Sequence, residues 1–194
     1  KSTVAQMFKD HGYGVYNADD TVHYIYENDE EVIEKVERQF PGSTKDGTVN
    51  RLALRDILNK DPDKFRDLEQ IVHHVTRKYQ IIYIKKLIEE GKMGCVLDIP
   101  LLFETGGEKY VDVSVVVTAS EATQQSRVVL ERKVPLEIFN AIKDQQMPDR
   151  DKLKKADYII STDNNIEDTK SEVKEVAAKI KLINPKAWNT FFNQ

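Results

Sequence analysis

A single cysteine, Cys95, is all the thiol that this 194-residue chain contains. That excludes an internal disulfide and fits a reducing compartment. Set within an apolar run, Cys95 reads as an inert buried thiol. No apolar run is long enough to cross a bilayer, so no membrane partner is expected. No secretory leader is visible in this stretch, and one lying upstream of Lys1 would not be seen in it. Positive charge is not in excess, because 29 Lys and Arg stand against 33 Asp and Glu, a net charge of -4. Chains that work mainly on nucleic acid usually carry a basic bias. No stripe of aromatic and basic residues compensates for its absence. Nucleic acid is therefore not an expected partner, while a local basic pocket for phosphates stays compatible with the composition. Internal repeats and low-complexity segments are missing too. His73 and His74 are adjacent, so on a helix they do not share a face. No Cys or acid cluster completes a metal set around them.

What remains is the composition of a globular protein, 40% hydrophobic and 32% charged, long enough for one core domain with a small inserted subdomain. Ser2 to His11 reads as a helix with Val4, Met7 and Phe8 on one face and Gly12 as its stop. "YGVYN" reads as a short strand running into "ADD", and Thr21 to Phe40 as charged helix in two pieces. "PGSTKDGTVN" reads as a loop. Arg51 to Glu90 is mostly helix, with Leu68, Ile71, Val72, Val75, Tyr79, Ile82 and Leu87 at helical spacing and Gly91 as its end. "MGCVLDIPLLF", "YVDVSVVVTAS" and "ADYIIST" read as buried strands. Ser120 caps the segment after the second of them, with helices expected over about 121–133 and 136–146. A last amphipathic helix runs from Asn165 to Leu182, and the tail with Trp188, Phe191 and Phe192 shows no clear element. Near-continuous apolar strands alternating with helices predict an α/β fold with a parallel sheet covered on both faces.

Four places carry candidate chemistry. Lys1-Ser2-Thr3 at a helix start is the back half of a phosphate-binding loop, G-x-x-x-x-G-K-[ST]. There the lysine neutralises phosphates, the hydroxyl binds Mg²⁺ and the helix terminus adds its dipole. The plain alternative is an ordinary helix cap. Asp19 comes just after the first strand, where α/β folds place ligand-binding residues; it or Asp20 could equally cap the next helix. Asp98 ends an apolar strand, a costly place for a charge without a partner and a common place for the acid that supports Mg²⁺. Arg127 and Arg132 lie on a short helix that could bring guanidinium groups over a transferring phosphate, or simply form a solvated basic face.

In their order and spacing these pieces resemble the dephospho-CoA kinase family along nearly the whole chain. "KSTVAQMFKDHGYGVYNADD" is similar to the family's loop end, first helix and acidic turn. "VNRLALRDILNKDPDKFRDLEQIVHHV" resembles its Asn-Arg, Leu-Glu and His-Pro segment, with His73 at the histidine. "VLDIPLLFE" is close to a family fingerprint, and "QQSRVVLERK" and "QQMPDRDKLKKADYII" resemble its lid and C-terminal strand. The resemblance implies a P-loop NTPase-type three-layer fold with a parallel sheet, a helical acceptor-binding subdomain and a lid. It implies a core of about 1–20, 92–120 and 156–184, an acceptor-binding insert over about 21–91 and a lid over about 121–155. It implies transfer of the ATP γ-phosphate to the ribose 3′-hydroxyl of dephospho-CoA, in the cytoplasm, by a monomer or weak homo-oligomer. By position, Lys1 would serve catalysis and bind ATP together with Ser2, Thr3 and Arg127. Ser2 and Asp98 would hold Mg²⁺, Asp19 would be the base, and Arg127 and Arg132 the lid arginines. Asp98, Arg51 and His73 would meet the acceptor.

The chain also departs from that pattern. The family's Asp-Ala-Asp reads Asn17-Ala18-Asp19, His74 stands at its proline, and "STDNN" replaces the Asp-Asn after its last strand. The sequence opens inside the phosphate loop, and the resemblance implies about a dozen further residues upstream, a strand plus a Gly-rich turn. For a chain that truly began at Lys1, weak ATP binding and poor stability are expected, since the central strand and its N–H nest would be missing. The competing expectations are another phosphate-loop kinase with a nucleotide or small-metabolite acceptor, and an inactive remnant that only binds.

Overall fold

The computed structural model describes residues 1–192. In chain order the elements are α1 (Ser2–Lys9), β1 (Gly14–Asn17), α2 (Ala18–Asn28), α3 (Glu30–Gln39), β2 (Thr44–Lys45), β3 (Thr48–Val49), α4 (Arg51–Lys60) and α5 (Phe65–Glu89). Next come β4 (Cys95–Asp98), β5 (Val115–Thr118), α6 (Glu121–Gln125), α7 (Leu136–Asp144), α8 (Asp149–Lys155), β6 (Tyr158–Ser161) and α9 (Ile166–Ile180). Strand β1 pairs with β4, β2 with β3, and β5 with β6. The chain forms two compact units, one of Lys1–Val15 and the residues from Asp98 onward, the other of Tyr16–Leu97.

In the first unit, α1 buries the face that its spacing predicts, Val4, Ala5, Met7 and Phe8, and turns away at Gly12, whose φ of +87° suits a residue without Cβ. This face packs on α9. Tyr13 stands edge-on to Phe8 with centroids 5.7 Å apart and donates its hydroxyl to Ala177 O at 3.2 Å. Strands β5 and β6 are parallel, in register from Val115–Tyr158 to Thr118–Ser161. Two carboxylates clamp this ladder. Asp157 accepts from Ser114 N at 2.8 Å and Ser114 Oγ at 2.7 Å, before the pairing starts. Asp163 accepts from Ser120 N at 2.8 Å, after it ends. Strand β5 is shorter than the apolar run around it, since residues 111–114 join no ladder and pairing starts at Val115. The aromatic tail does acquire structure. Asp112 Oδ1 accepts from Lys186 N and Ala187 N at 2.6 and 2.8 Å, Ala187 and Phe192 are buried, and Phe191 stands edge-on to Tyr110.

The second unit is built around Ile25, Val32, Val36 and Phe40, all fully buried, with Val49, Leu54, Leu58 and Val75 closing over them. Burying a side chain of this kind contributes about 1.5–3 kcal/mol, and that holds together helices whose outer faces are charged. The segment expected to be only a loop makes the β2–β3 hairpin. Asp46 and Gly47, with φ of +51° and +77°, form its two-residue turn, and Asp-Gly is the dipeptide such turns favour. Helix α5 runs 25 residues without a break. Its seam matches the expected one at Val75 and Leu87, but Ile82 is exposed. With histidine at position 74 the helix keeps an N–H that proline would remove in mid-helix.

Candidate functional site

Within the first unit the structure brings together the residues that open the chain and the acid that ends β4. Asp98 is only 4% exposed. Its Oδ1 accepts from Lys1 Nζ, forming an ion pair, and its Oδ2 accepts from Ser2 Oγ at 3.1 Å. The partner that a buried strand-end carboxylate demands is thus supplied by the start of α1, and the two oxygens set lysine and hydroxyl side by side. Lys1 keeps 46% of its side chain exposed, so its ammonium stays available to an anion. Thr3 is exposed one position further along α1.

The segment over 119–155 carries the two arginines. Ser120 caps α6, accepting from Thr123 N as its sequence position suggests. Beyond Gln125 the helix widens into a π turn over Ser126–Glu131, a form often found where a helix serves a site. It ends at Arg132, and the next residue, Lys133, takes a φ of +57°, a strained value for a side chain of that kind. Arg127 turns back to the end of β6, donating to Thr162 Oγ1 at 2.9 Å and Thr162 O at 2.6 Å. The Arg132 side chain makes no hydrogen bond or ion pair among the described residues and is exposed. Burial lowers the pKa of the Lys1 main-chain amine, Asp98 opposes this, and the two guanidinium groups add a smaller lowering. The "STDNN" departure gains a structural account. Thr162 anchors Arg127, Asp163 holds Ser120 and Asn165 caps α9. The Asp163 carboxyl lies below its usual range because the Ser120 N–H and neighbouring hydroxyls favour its charge.

In the second unit Asn17 caps α2, accepting from Asp19 N at 2.9 Å and Asp20 N at 3.3 Å. Aspartate would cap equally well, so asparagine there preserves the turn. Asp19 is thereby fixed in the first turn of α2 with an exposed carboxylate that makes no hydrogen bond or ion pair among the described residues. Arg51 begins α4 behind the Asn50 cap and donates to His23 Nδ1 at 3.2 Å. His73 lies on an open surface of α5 with Arg66, Glu69, Gln70, Arg77 and also His74, which the sequence predicts on a different face. Cys95 is chemically quiet, since burial pushes its thiol up to about 12.

Sequence reasoning did not single out Glu104, Thr162 or Asp163. For Asp163 and Asn165 a signal existed, polar residues just after a strand and before a helix. Helix α8 was also legible in principle, since Pro148 precedes two acids and then three lysines, the charge order a helix dipole favours.

Comparison with known proteins gives one consistent result. The family profile described as CoaE, dephospho-CoA kinase, matches residues 1–168. A dephospho-CoA kinase of Rhodopseudomonas palustris strain HaA2 is 40% identical over 176 residues, 91% of this chain and 87% of that protein. The dephospho-CoA kinase of Bartonella quintana strain Toulouse is 40% identical over 173 residues, 89% of this chain and 88% of that protein. Among solved structures, TT1252 from Thermus thermophilus superposes with a TM-score of 0.78 at 30% identity, covering 94% of this chain and 92% of that one. Dephospho-CoA kinase from Campylobacter jejuni gives a TM-score of 0.65 at 26% identity over 93% and 90% of the two chains.

Proposed function

The chain belongs to the dephospho-CoA kinase family, and from that premise we propose that it transfers the γ-phosphate of ATP to the ribose 3′-hydroxyl of dephospho-CoA, giving coenzyme A and ADP. The observation that carries the reading at the level of the site is the Lys1–Ser2–Asp98 cluster at the mouth of α1. Phosphoryl transfer asks for alignment, neutralised charge and a base, and little covalent help.

In this reading Lys1 neutralises the β- and γ-phosphates, and Ser2 and Thr3 meet them at the start of α1. Asp98 keeps Lys1 and Ser2 aligned and faces the acceptor. Among the described residues no cluster of three His, Cys, Asp or Glu side chains is present. Mg²⁺ is held by few protein oxygens and completed by phosphates and water. The Ser2 hydroxyl beside the Asp98 carboxylate is a donor set that fits it. When bound, the ion would screen phosphate charge. Asp19 takes the proton of the attacking hydroxyl. Arg132 supplies charge to the transferring group, and Arg127, which also faces the nucleotide, holds the segment in place. Arg51 and His73 contact the acceptor, and the basic residues Arg66 and Arg77 on the same surface of α5 as His73 support that side of the reading. The labour is then divided between a core of about 1–20, 92–120 and 156–184, an acceptor-binding insert of about 21–91 and a lid of about 121–155. Water-soluble substrates and a lone, quiet cysteine support a cytoplasmic setting.

The test is ADP release with dephospho-CoA as acceptor, run beside a panel of nucleosides and small alcohols. Turnover confined to dephospho-CoA is expected. Turnover with another acceptor alone would move the chain to a sister kinase, and silence with all of them would leave a binding protein. The arginines should separate in a second assay. Arg132→Ala is expected to lower kcat by about 10²–10³-fold, as loss of a group that meets developing charge does, with an unchanged melting temperature. Arg127→Ala should lower kcat and also the melting temperature, because Thr162 loses its partner. Equal thermal stability of the two variants would contradict the anchoring role of Arg127.

A further inference from the structure

The turn after Asp98 carries a second acid with a more distant reach. The turn is tightly wound. Leu101 has a φ of +59°, Gly107 N donates to Leu102 O at 2.7 Å, and a Cβ on Gly107 would stand 2.9 Å from Leu102 Cδ1. Within it Glu104 Oε1 accepts from Met147 N at 2.7 Å and pairs with Lys152 Nζ at 3.4 Å, both side chains being 17% exposed. Burial works against the Glu104 charge, yet the Met147 N–H and the Lys152 ammonium hold the carboxyl below its usual range. Lys155, at the end of α8, lies 5.6 Å over the ring of the buried Phe103 and 3.9 Å from Glu108 Oε1. One short turn therefore holds Lys1 and Ser2 at its start and the returning arm of the 121–155 segment further on. On the outgoing arm, Gln124 Nε2 reaches that returning arm at Asp149 Oδ2, 2.8 Å away.

We propose that Glu104 is a positioning residue for phosphoryl transfer, fixing the returning arm of the arginine-bearing segment against the turn that begins at Asp98. This rests on the kinase reading. Releasing Met147 and Lys152 frees the arm that carries Arg132 to shift relative to the turn that holds Lys1 through Asp98.

The test is steady-state kinetics in the full chain. Glu104→Ala is expected to lower kcat about 10–100-fold, the scale of a misplaced reacting group, while KM for dephospho-CoA moves by less than about twofold. Lys152→Met should lower kcat less, and the double variant should be no worse than Glu104→Ala, since both act through one contact. Glu104→Gln keeps an acceptor for Met147 N and should recover part of the loss. A folded Glu104→Ala protein with wild-type kcat would overturn the proposal, and so would additive effects of the two single changes. If the unaltered chain turns over no dephospho-CoA, the family-based reading of its activity fails, and amide exchange at Met147 then decides the positioning role. Exchange should speed up at least about tenfold in Glu104→Ala if Glu104 holds that amide closed. An unchanged rate overturns it.

Discussion

Asp19→Asn is expected to lower kcat by about 10²–10⁴-fold, the range general bases supply, with KM for either substrate almost unchanged. Asparagine keeps the size of the side chain and cannot take a proton. The fold gives no reason for a structural loss. The Asp19 N–H is already satisfied by Asn17, and the carboxylate is exposed without a partner among the described residues. What the substitution removes from α2 is one charge in its first turn, where Asp20 remains, and such a charge is worth about 0.3–1 kcal/mol. The melting temperature should therefore shift by a few degrees at most. Asp20→Asn is the matched control, with the same helix charge lost and full activity expected. A rapid-quench measurement of the first turnover checks both. If Asp19→Asn retained more than a tenth of the wild-type rate, the base would have to be sought elsewhere.

The second large effect belongs to Asp98. Asp98→Asn should reduce kcat/KM for ATP by about 10²–10³-fold, as loss of one preorganised charge-bearing contact does. Here KM for ATP should rise as well as kcat fall, because both Lys1 and Ser2 lose their alignment. The cost to the fold should be smaller. Breaking a fully buried ion pair costs about 3–5 kcal/mol, but Lys1 is nearly half exposed and rehydrates when released. The loss then approaches that of one hydrogen bond to a charged group, about 1.5–3 kcal/mol. Denaturant unfolding beside ATP titration separates the two effects. Stability falling by the full buried-pair amount with ATP affinity intact would make Asp98 a structural residue only.

Much of this was legible from residue order. Ser120 announces its helix because capping is local chemistry, decided within three residues, whereas the cap of α2 is Asn17 and not the Asp19 or Asp20 that the sequence suggests. The apolar strands announce a parallel sheet for the same kind of reason, and Asp98 at a strand end declares its need for a partner. What escaped was either a local rule left unapplied or a contact that no local rule contains. Asp46-Gly47 is the standard hairpin pair, yet polar residues around it read as plain loop. Ile82 fits the helical period of α5 but lies on a stretch that leaves the buried seam. Arg127 meeting Thr162, and Glu104 meeting Met147, join residues 35 and 43 positions apart. Such pairings exist only after the sheet sets β5 beside β6. The family fingerprint around "VLDIPLLFE" marked the neighbourhood of Glu104 without saying what that carboxylate grips.

The two aspartate clamps on the β5–β6 ladder have a consequence for chain architecture. Asp157 and Asp163 each bind a partner 43 residues earlier, one at either end of the pairing. The chain between Ser120 and Asp157 is therefore a closed loop whose ends are fastened by the ladder itself. For a flexible loop, closure entropy grows only with the logarithm of length, about 0.6 kcal/mol for each doubling. The ladder thus tolerates large changes in what it encloses. An insertion in the enclosed loop that spares Arg127, Met147 and Lys152 should therefore leave the strand register to the clamps.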